Sequence, residues 1–187
     1  MNRAVELIDP AFHGPWSMFF GPLHNSSHTP KAMSIETDIQ QNTFRNNYQK
    51  GIINFIFTYN WLREKMKVFF DREDITEQQF NILRILRGAG KPISTMQIRQ
   101  RMLDKMSDTS RIVDRLVIKS LVKKTLCPSD KRLVDISITD KGEKILANID
   151  KYETEIDRLL MNLNQNEIRS FNTLLDKIRN NAYCEIA

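Results

Sequence analysis

Histidine is nearly missing from this chain. Its three histidines, His13, His24 and His28, all fall within the first 28 residues. The rest of the sequence therefore offers no imidazole as base, metal ligand or proton shuttle, and Ser/His/Asp or Cys/His catalysis has no partner there. His24 and His28 have helical spacing, but Asn25, Ser26 and Pro30 do not favour a helix, so no metal or other cofactor is expected. Glycine is scarce at six residues, and Gly88 and Gly90 beside Lys91 fit no phosphate-binding loop. Two cysteines, Cys127 and Cys184, make no disulfide framework. No apolar run approaches the ~18 residues of a membrane span. The stretch from Trp16 to Phe20, bracketed by Pro15, Gly21 and Pro22, is too short for a signal peptide. A cytoplasmic protein without a membrane segment, and not an enzyme, is the expectation.

What is present is unevenly distributed. The net charge is only +5 over 187 residues, yet residues 99–132 hold ten cations against four acids. A basic region on an otherwise balanced protein is the footprint of a polyanion partner. Inside it, Ser107 to Ser120 reads as a helix carrying Arg111, Arg115 and Lys119 at every fourth position. Val113, Leu116 and Val117 should face the core, leaving Ser107, Asp108, Ser110, Arg111 and Arg115 on the outer side. Val122 to Leu126 then reads as a strand, and Pro128, Ser129 and Asp130 supply turn chemistry. The return strand alternates, with Val134, Ile136 and Ile138 on one side and Leu133, Asp135 and Ser137 on the other. Thr139 or Asp140 can cap the next helix. A basic helix followed by a ribbon tipped with Asp130-Lys131-Arg132 is how a winged helix-turn-helix reads duplex DNA.

These residues resemble the MarR family of bacterial transcription regulators. The resemblance rests on Ser110-Arg111-Ile112-Val113-Asp114-Arg115-Leu116, Leu121-Val122, Asp130-Lys131-Arg132 and Ile138-Thr139-Asp140-Lys141-Gly142, and it extends over roughly residues 35–181. The spacing from the Asp-x-Arg of the wing to the following apolar-Thr pair matches. Two positions depart from the family pattern: Ser120 replaces the glycine that usually ends the recognition helix, and the turn Leu103-Asp104-Lys105-Met106 has no glycine. The resemblance implies interlocking terminal helices in a homodimer and control by a small aromatic effector held between those helices and the winged domain. Tyr48, Phe55, Tyr59 and Trp61 are candidates for lining such a pocket, or for plain core and interface. Cys127, beside the wing turn, reads either as a redox-sensing thiolate favoured by Lys124 and Lys131 or as an incidental small strand residue. Redox sensors of this kind carry a cysteine near the start of the first long helix, where this chain has none.

Residues 1–33 hold four of the six prolines and show no period, so a poorly ordered extension is expected, with Met33 offering a second translation start. A long helical stripe follows from Ile35 to about Phe70, through Phe44, Tyr48, Ile52, Phe55, Tyr59, Leu62, Met66 and Phe69. Thr76 with Gln79 and Ser94 with Gln97 each form a capping box opening a further helix; Gly88, Gly90 and Pro92 end the first of these. Beyond the wing, a helix should run through Ile145, Ile149, Tyr152, Ile156 and Leu159 to Met161 or Leu163, and Asn164 with Glu167 opens a last one bearing Ile168, Phe171, Leu174, Leu175 and Ile178.

The expected fold is mainly α with a small β-wing. A DNA-binding winged helix-turn-helix at 73–141 lies between dimerisation helices at 34–72 and 142–187. The expected function is a sequence-specific transcription regulator, a repressor relieved by a small ligand, that binds a palindromic operator in double-stranded DNA as a homodimer. Arg111 and Arg115 would meet phosphates or guanine edges, with Ser107, Asp108 and Ser110 adjusting contacts near the helix start. Lys131 and Arg132 would reach a minor groove, and Asp130 would orient the wing. The competing reading is a winged-helix protein-interaction adaptor that does not bind DNA; the cations Arg111, Arg115 and Lys119 disfavour it.

Overall fold

The computed structural model describes residues 34–126 and 134–180. The extension 1–33, the wing residues Cys127, Asp130, Lys131, Arg132 and Leu133 with their turn, and Cys184 lie outside the described residues. The chain divides into two units, the first up to Asn47 and the second from Tyr48.

In the first unit a single turn of helix, α1 (Ile35–Asp38), ends where Gln40 takes a left-handed φ of 54°. The expected continuous helix from Ile35 is therefore interrupted, and Phe44 sits in irregular chain. The run Gln40-Gln41-Asn42-Thr43 explains the break. Asn42 and Thr43 are poor helix formers, and Gln41 Nε2 donates to the Thr43 carbonyl at 2.8 Å, a local bond outside the helical pattern.

The second unit takes in α2 (Asn47–Arg72) from its second residue onward, and the last turn of that helix buries Phe69 and Phe70. Then come α3 (Glu77–Ala89), β1 (Ile93–Ser94), α4 (Thr95–Arg101), α5 (Thr109–Ile118), β2 (Val122–Leu126), β3 (Val134–Ile138) and α6 (Asp140–Asp150). The capping boxes form as expected. The Gln79 amide donates to Thr76 Oγ1 at 3.2 Å, while Gln79 Oε1 accepts from the Thr76 amide at 3.1 Å, and Ser94 with Gln97 repeats the exchange at α4. Gly90, at φ 62°, ends α3; Gly88 stays inside the helix. The three strands are antiparallel in the order β1-β3-β2, with Ile93 opposite Ile136 and Val122 opposite Ile138. The two-residue strand β1 adds a third member to the expected two-stranded ribbon. It fastens the base of the wing to the helices, because Ile93 and Ile136 are both buried where they meet.

One core joins these elements. Ile82, Leu83, Ile98, Leu116, Ile136 and Leu146 are wholly buried, from α3, α4, α5, β3 and α6 in turn. Each contributes about 1.5–3 kcal/mol of apolar burial. The helix expected to run from Ile145 to Leu163 stops at Asp150 and resumes as α7 (Glu153–Asp157) and a 3₁₀ turn (Arg158–Leu160). At that break Tyr152 lies 5.7 Å from the Phe69 ring, and the Arg72 guanidinium sits 4.5 Å above Tyr152. The last helix, α8 (Gln165–Arg179), starts at Asn164 with its capping box and buries none of its residues within the chain. No helix among the described residues is long and apolar enough to cross a membrane.

Candidate nucleic-acid interface

The helix α5 is held at both ends by specific bonds. Its N-cap is Asp108, whose Oδ1 accepts from the Arg111 amide at 3.1 Å. The helix therefore begins two residues later than Ser107, and Ser107 instead donates its hydroxyl to Asp104 Oδ2 at 2.7 Å. Asp104 Oδ1 also accepts from the Met106 amide at 3.0 Å. These bonds, the Ser107 hydroxyl foremost, hold the Asp104 carboxyl below its ordinary pKa. The glycine-free turn is thus braced by a carboxylate that takes two donors. Asp108 and Ser107 are committed to shaping the start of the helix, whereas Ser110 is exposed and free of such a bond.

At the C-terminal end the chain forms a Schellman motif. The Leu121 amide donates to the Leu116 carbonyl at 2.9 Å and the Ser120 amide to Val117 at 2.8 Å, with Ser120 at φ 60°. Leu121 and Leu116 are both buried, which supplies the apolar contact that accompanies the motif. Ser120 thus adopts the left-handed geometry for which glycine is the usual residue. Val117, expected in the core, is 36% exposed because the buried stripe of α5 runs through Thr109, Val113 and Leu116 instead.

The cations of this region sort into two groups. Arg111 and Arg115, one turn apart and exposed, have no ion-pair partner among the described residues. Lys119, expected to continue their stripe, is turned away: its ammonium is 2.9 Å from Asp74 Oδ2 and also bonds the Asp74 carbonyl. Lys124 on β2 pairs with Asp114 at 2.6 Å and ties the wing strand to α5. Between the starts of α4 and α5 lies an open groove of about 470 Å³, where Ser107, Asp108 and Ser110 meet Arg99. Arg99 was not singled out in the sequence, where it registers only as part of the general positive charge.

A second concavity, about 220 Å³, lies between α2, α3 and the turn after α4, lined by Tyr59, Met66, Phe70, Phe80, Met102 and Leu103 among others. At its rim the Arg63 guanidinium bonds Glu77 at 3.0 Å, which raises the Arg63 pKa, and lies 5.6 Å from the Tyr59 ring. Tyr48, Phe55 and Trp61 do not line it; they stand exposed on α2.

A profile described as the MarR family matches residues 73–133, the segment from the end of α2 to the wing. Bacillus subtilis (strain 168) supplies two similar regulators. The HTH-type transcriptional repressor MdtR is 30% identical over 90 residues, 46% of this chain and 57% of that one. The HTH-type transcriptional regulator MhqR is 25% identical over 126 residues, 66% of this chain and 86% of that one. Residues 73–133 thus resemble the MarR family. The match supports a winged-helix, DNA-binding regulator of transcription, and the relatives named are regulators of transcription rather than enzymes. The fold agrees across most of its length with a mutant of MarR from E. coli complexed with operator DNA. That structure has a TM-score of 0.63 at 22% identity, with 78% of this chain and 99% of that chain covered.

Proposed function

We propose that this protein is a homodimeric repressor that binds a palindromic operator through α5 and the wing, and that a small aromatic ligand relieves it. The observation that carries the DNA-reading surface is the pair Arg111 and Arg115. Both guanidiniums are exposed on α5 with no ion-pair partner among the described residues, while Lys119 and Lys124 are engaged with carboxylates of the protein itself. Ser110 and Arg99 extend this surface, and Ser107 and Asp108 fix where the helix starts. Lys131 and Arg132 would add a minor-groove contact, with Asp130 orienting the wing. The two-fold symmetry of a homodimer matches a palindrome with half-sites ~34–36 Å apart. MdtR is named a repressor, which supports the same sign of control here. The concavity at Tyr59 carries Met66, Phe70, Phe80, Met102 and Leu103, apolar side chains suited to a small aromatic ligand.

The test is a binding isotherm on the intergenic DNA upstream of the protein's own gene. Arg111→Ala and Arg115→Ala should each weaken specific binding by about 1–3 kcal/mol without lowering thermal stability. Wild-type affinity should fall about 10³–10⁵-fold between 50 and 200 mM salt if 6–10 phosphates are neutralised. Binding that ignores both substitutions would remove α5 from the recognition surface.

A further inference from the structure

The chain that leaves the C-terminal end of α5 carries three carbonyls, of Lys119, Ser120 and Leu121, outside the helix's own hydrogen bonds. They are taken up by residues of the Thr139-Asp140-Lys141-Gly142 run. Lys141 Nζ donates to the Lys119 carbonyl at 2.9 Å, Thr139 Oγ1 to the Ser120 carbonyl at 2.8 Å, and the Thr139 amide to the Leu121 carbonyl at 3.1 Å. An ammonium at this position also opposes the negative end of the helix dipole. The Lys119 side chain leaves in the other direction and bonds both the carboxylate and the carbonyl of Asp74, in the turn between α2 and α3. Asp74 itself is held at a left-handed φ of 50°, as Ser120 is at 60°. The ammonium of Lys119 thus joins two turns whose backbone conformations are individually costly and need support from their surroundings. Each anchor carries a further contact. The α2 end is held by Glu73, which accepts from Asn148 at 3.2 Å, and α6 is held by Arg87, whose guanidinium forks onto Asp150 at 2.6 and 3.1 Å.

We propose that Lys119 and Lys141 are positioning residues: they clamp the C-terminal end of the recognition helix to the α2–α3 turn and to α6, and neither touches DNA. The proposal rests on α5 being the DNA-reading helix. It gives the sequence stripe Arg111, Arg115, Lys119 two roles rather than one, with the first two facing outward and the third setting the angle of the helix. It also gives α2, the helix with the largest exposed apolar face, a direct connection to the reading helix.

Removing a cation that touches phosphate lowers the slope of log affinity against log salt by about 0.9. Removing a positioning cation lowers affinity and leaves the slope alone. The experiment measures specific binding to the upstream DNA at several salt concentrations for wild type, Lys119→Met, Asp74→Asn, their double variant, and Lys141→Met, with a melting curve for each. Lys119→Met should weaken binding about three- to fivefold, the scale of an exposed ion pair, at unchanged salt slope. Asp74→Asn should weaken it as well, although removing a negative charge near DNA should by itself tighten it. The double variant should lose no more than Lys119→Met alone, since both break one contact. Lys141→Met should likewise weaken binding at unchanged slope. A slope reduced by about one unit in either lysine variant would overturn the proposal for that lysine. Tighter binding by Asp74→Asn, or losses that simply add, would overturn the Lys119 clamp, and Asp74→Asn decides the matter should Lys119→Met melt early. Absence of wild-type binding would overturn the DNA-reading role itself, and with it this proposal.

Discussion

A Cβ built on Gly142 would lie 2.4 Å from the Leu121 carbonyl oxygen and 2.7 Å from Ile138 Cγ1. The carbonyl cannot easily withdraw, because it accepts the Thr139 amide that starts α6. Gly142→Ala should therefore destabilise the protein by about 1–3 kcal/mol, the cost of overpacking a tight site, as read from urea unfolding. Ser120 is the opposite case: at φ 60° a side chain is present where its absence would be better tolerated. Ser120→Gly relieves about 1–2 kcal/mol of left-handed penalty against about 0.5–1 kcal/mol of added unfolded-state entropy, so the variant should melt slightly higher. Gly142 thus stands where there is no space for a methyl group, whereas at Ser120 the issue is backbone angle.

At the scale of elements, the turn between α4 and α5 depends on one ionised carboxyl. Asp104 bonds the Ser107 hydroxyl and the Met106 amide, and these bonds depress its pKa. A carboxyl whose folded pKa lies below its unfolded value adds stability above the unfolded value and loses it as pH falls through the folded one. The turn, and with it the seating of Asp108 at the start of α5, should therefore loosen only in acid. The Met106 amide resonance should titrate with a midpoint below 3.8, the ordinary aspartate value. Ser107→Ala should move that midpoint upward, since it deletes the larger of the two contributions. A midpoint unmoved by Ser107→Ala would show that the turn does not rely on that hydroxyl.

At the scale of the molecule, α2 and α8 leave large apolar side chains in solvent. Tyr48 is 85% exposed, Ile52 63%, Leu174 58% and Ile178 69%. Contiguous faces of this kind mark association surfaces. Light scattering at micromolar concentration should give twice the 22.0 kDa of one chain, and replacing Ile52 and Phe55 together by aspartate should return the protein to one chain's mass. A wild-type monomer would remove the homodimer from the proposed function.

Local chemistry determined much of this protein in advance. The capping boxes at Thr76, Ser94 and Asn164 close over three residues, and a short-range hydrogen bond needs only its own sequence to form. The alternation from Val134 to Ile138 and the basic face at Arg111 and Arg115 are legible for the same reason: both follow from the fixed period of one element. Other features depend on residues far apart in the chain. The break after Asp150 carries no proline or glycine and coincides with Tyr152 docking on Phe69 and Arg72. The strand β1 exists because β3 offers an open edge 43 residues later, at Ile136 opposite Ile93. Lys119 looks like a third cation of the outward stripe until Asp74, 45 residues earlier, is brought against it. The sequence alone determined the capped helix starts, the two ribbon strands and where positive charge gathers. Only the tertiary structure decided which of those charges remain free, because an ammonium bonds whichever carboxylate the folded chain brings nearest.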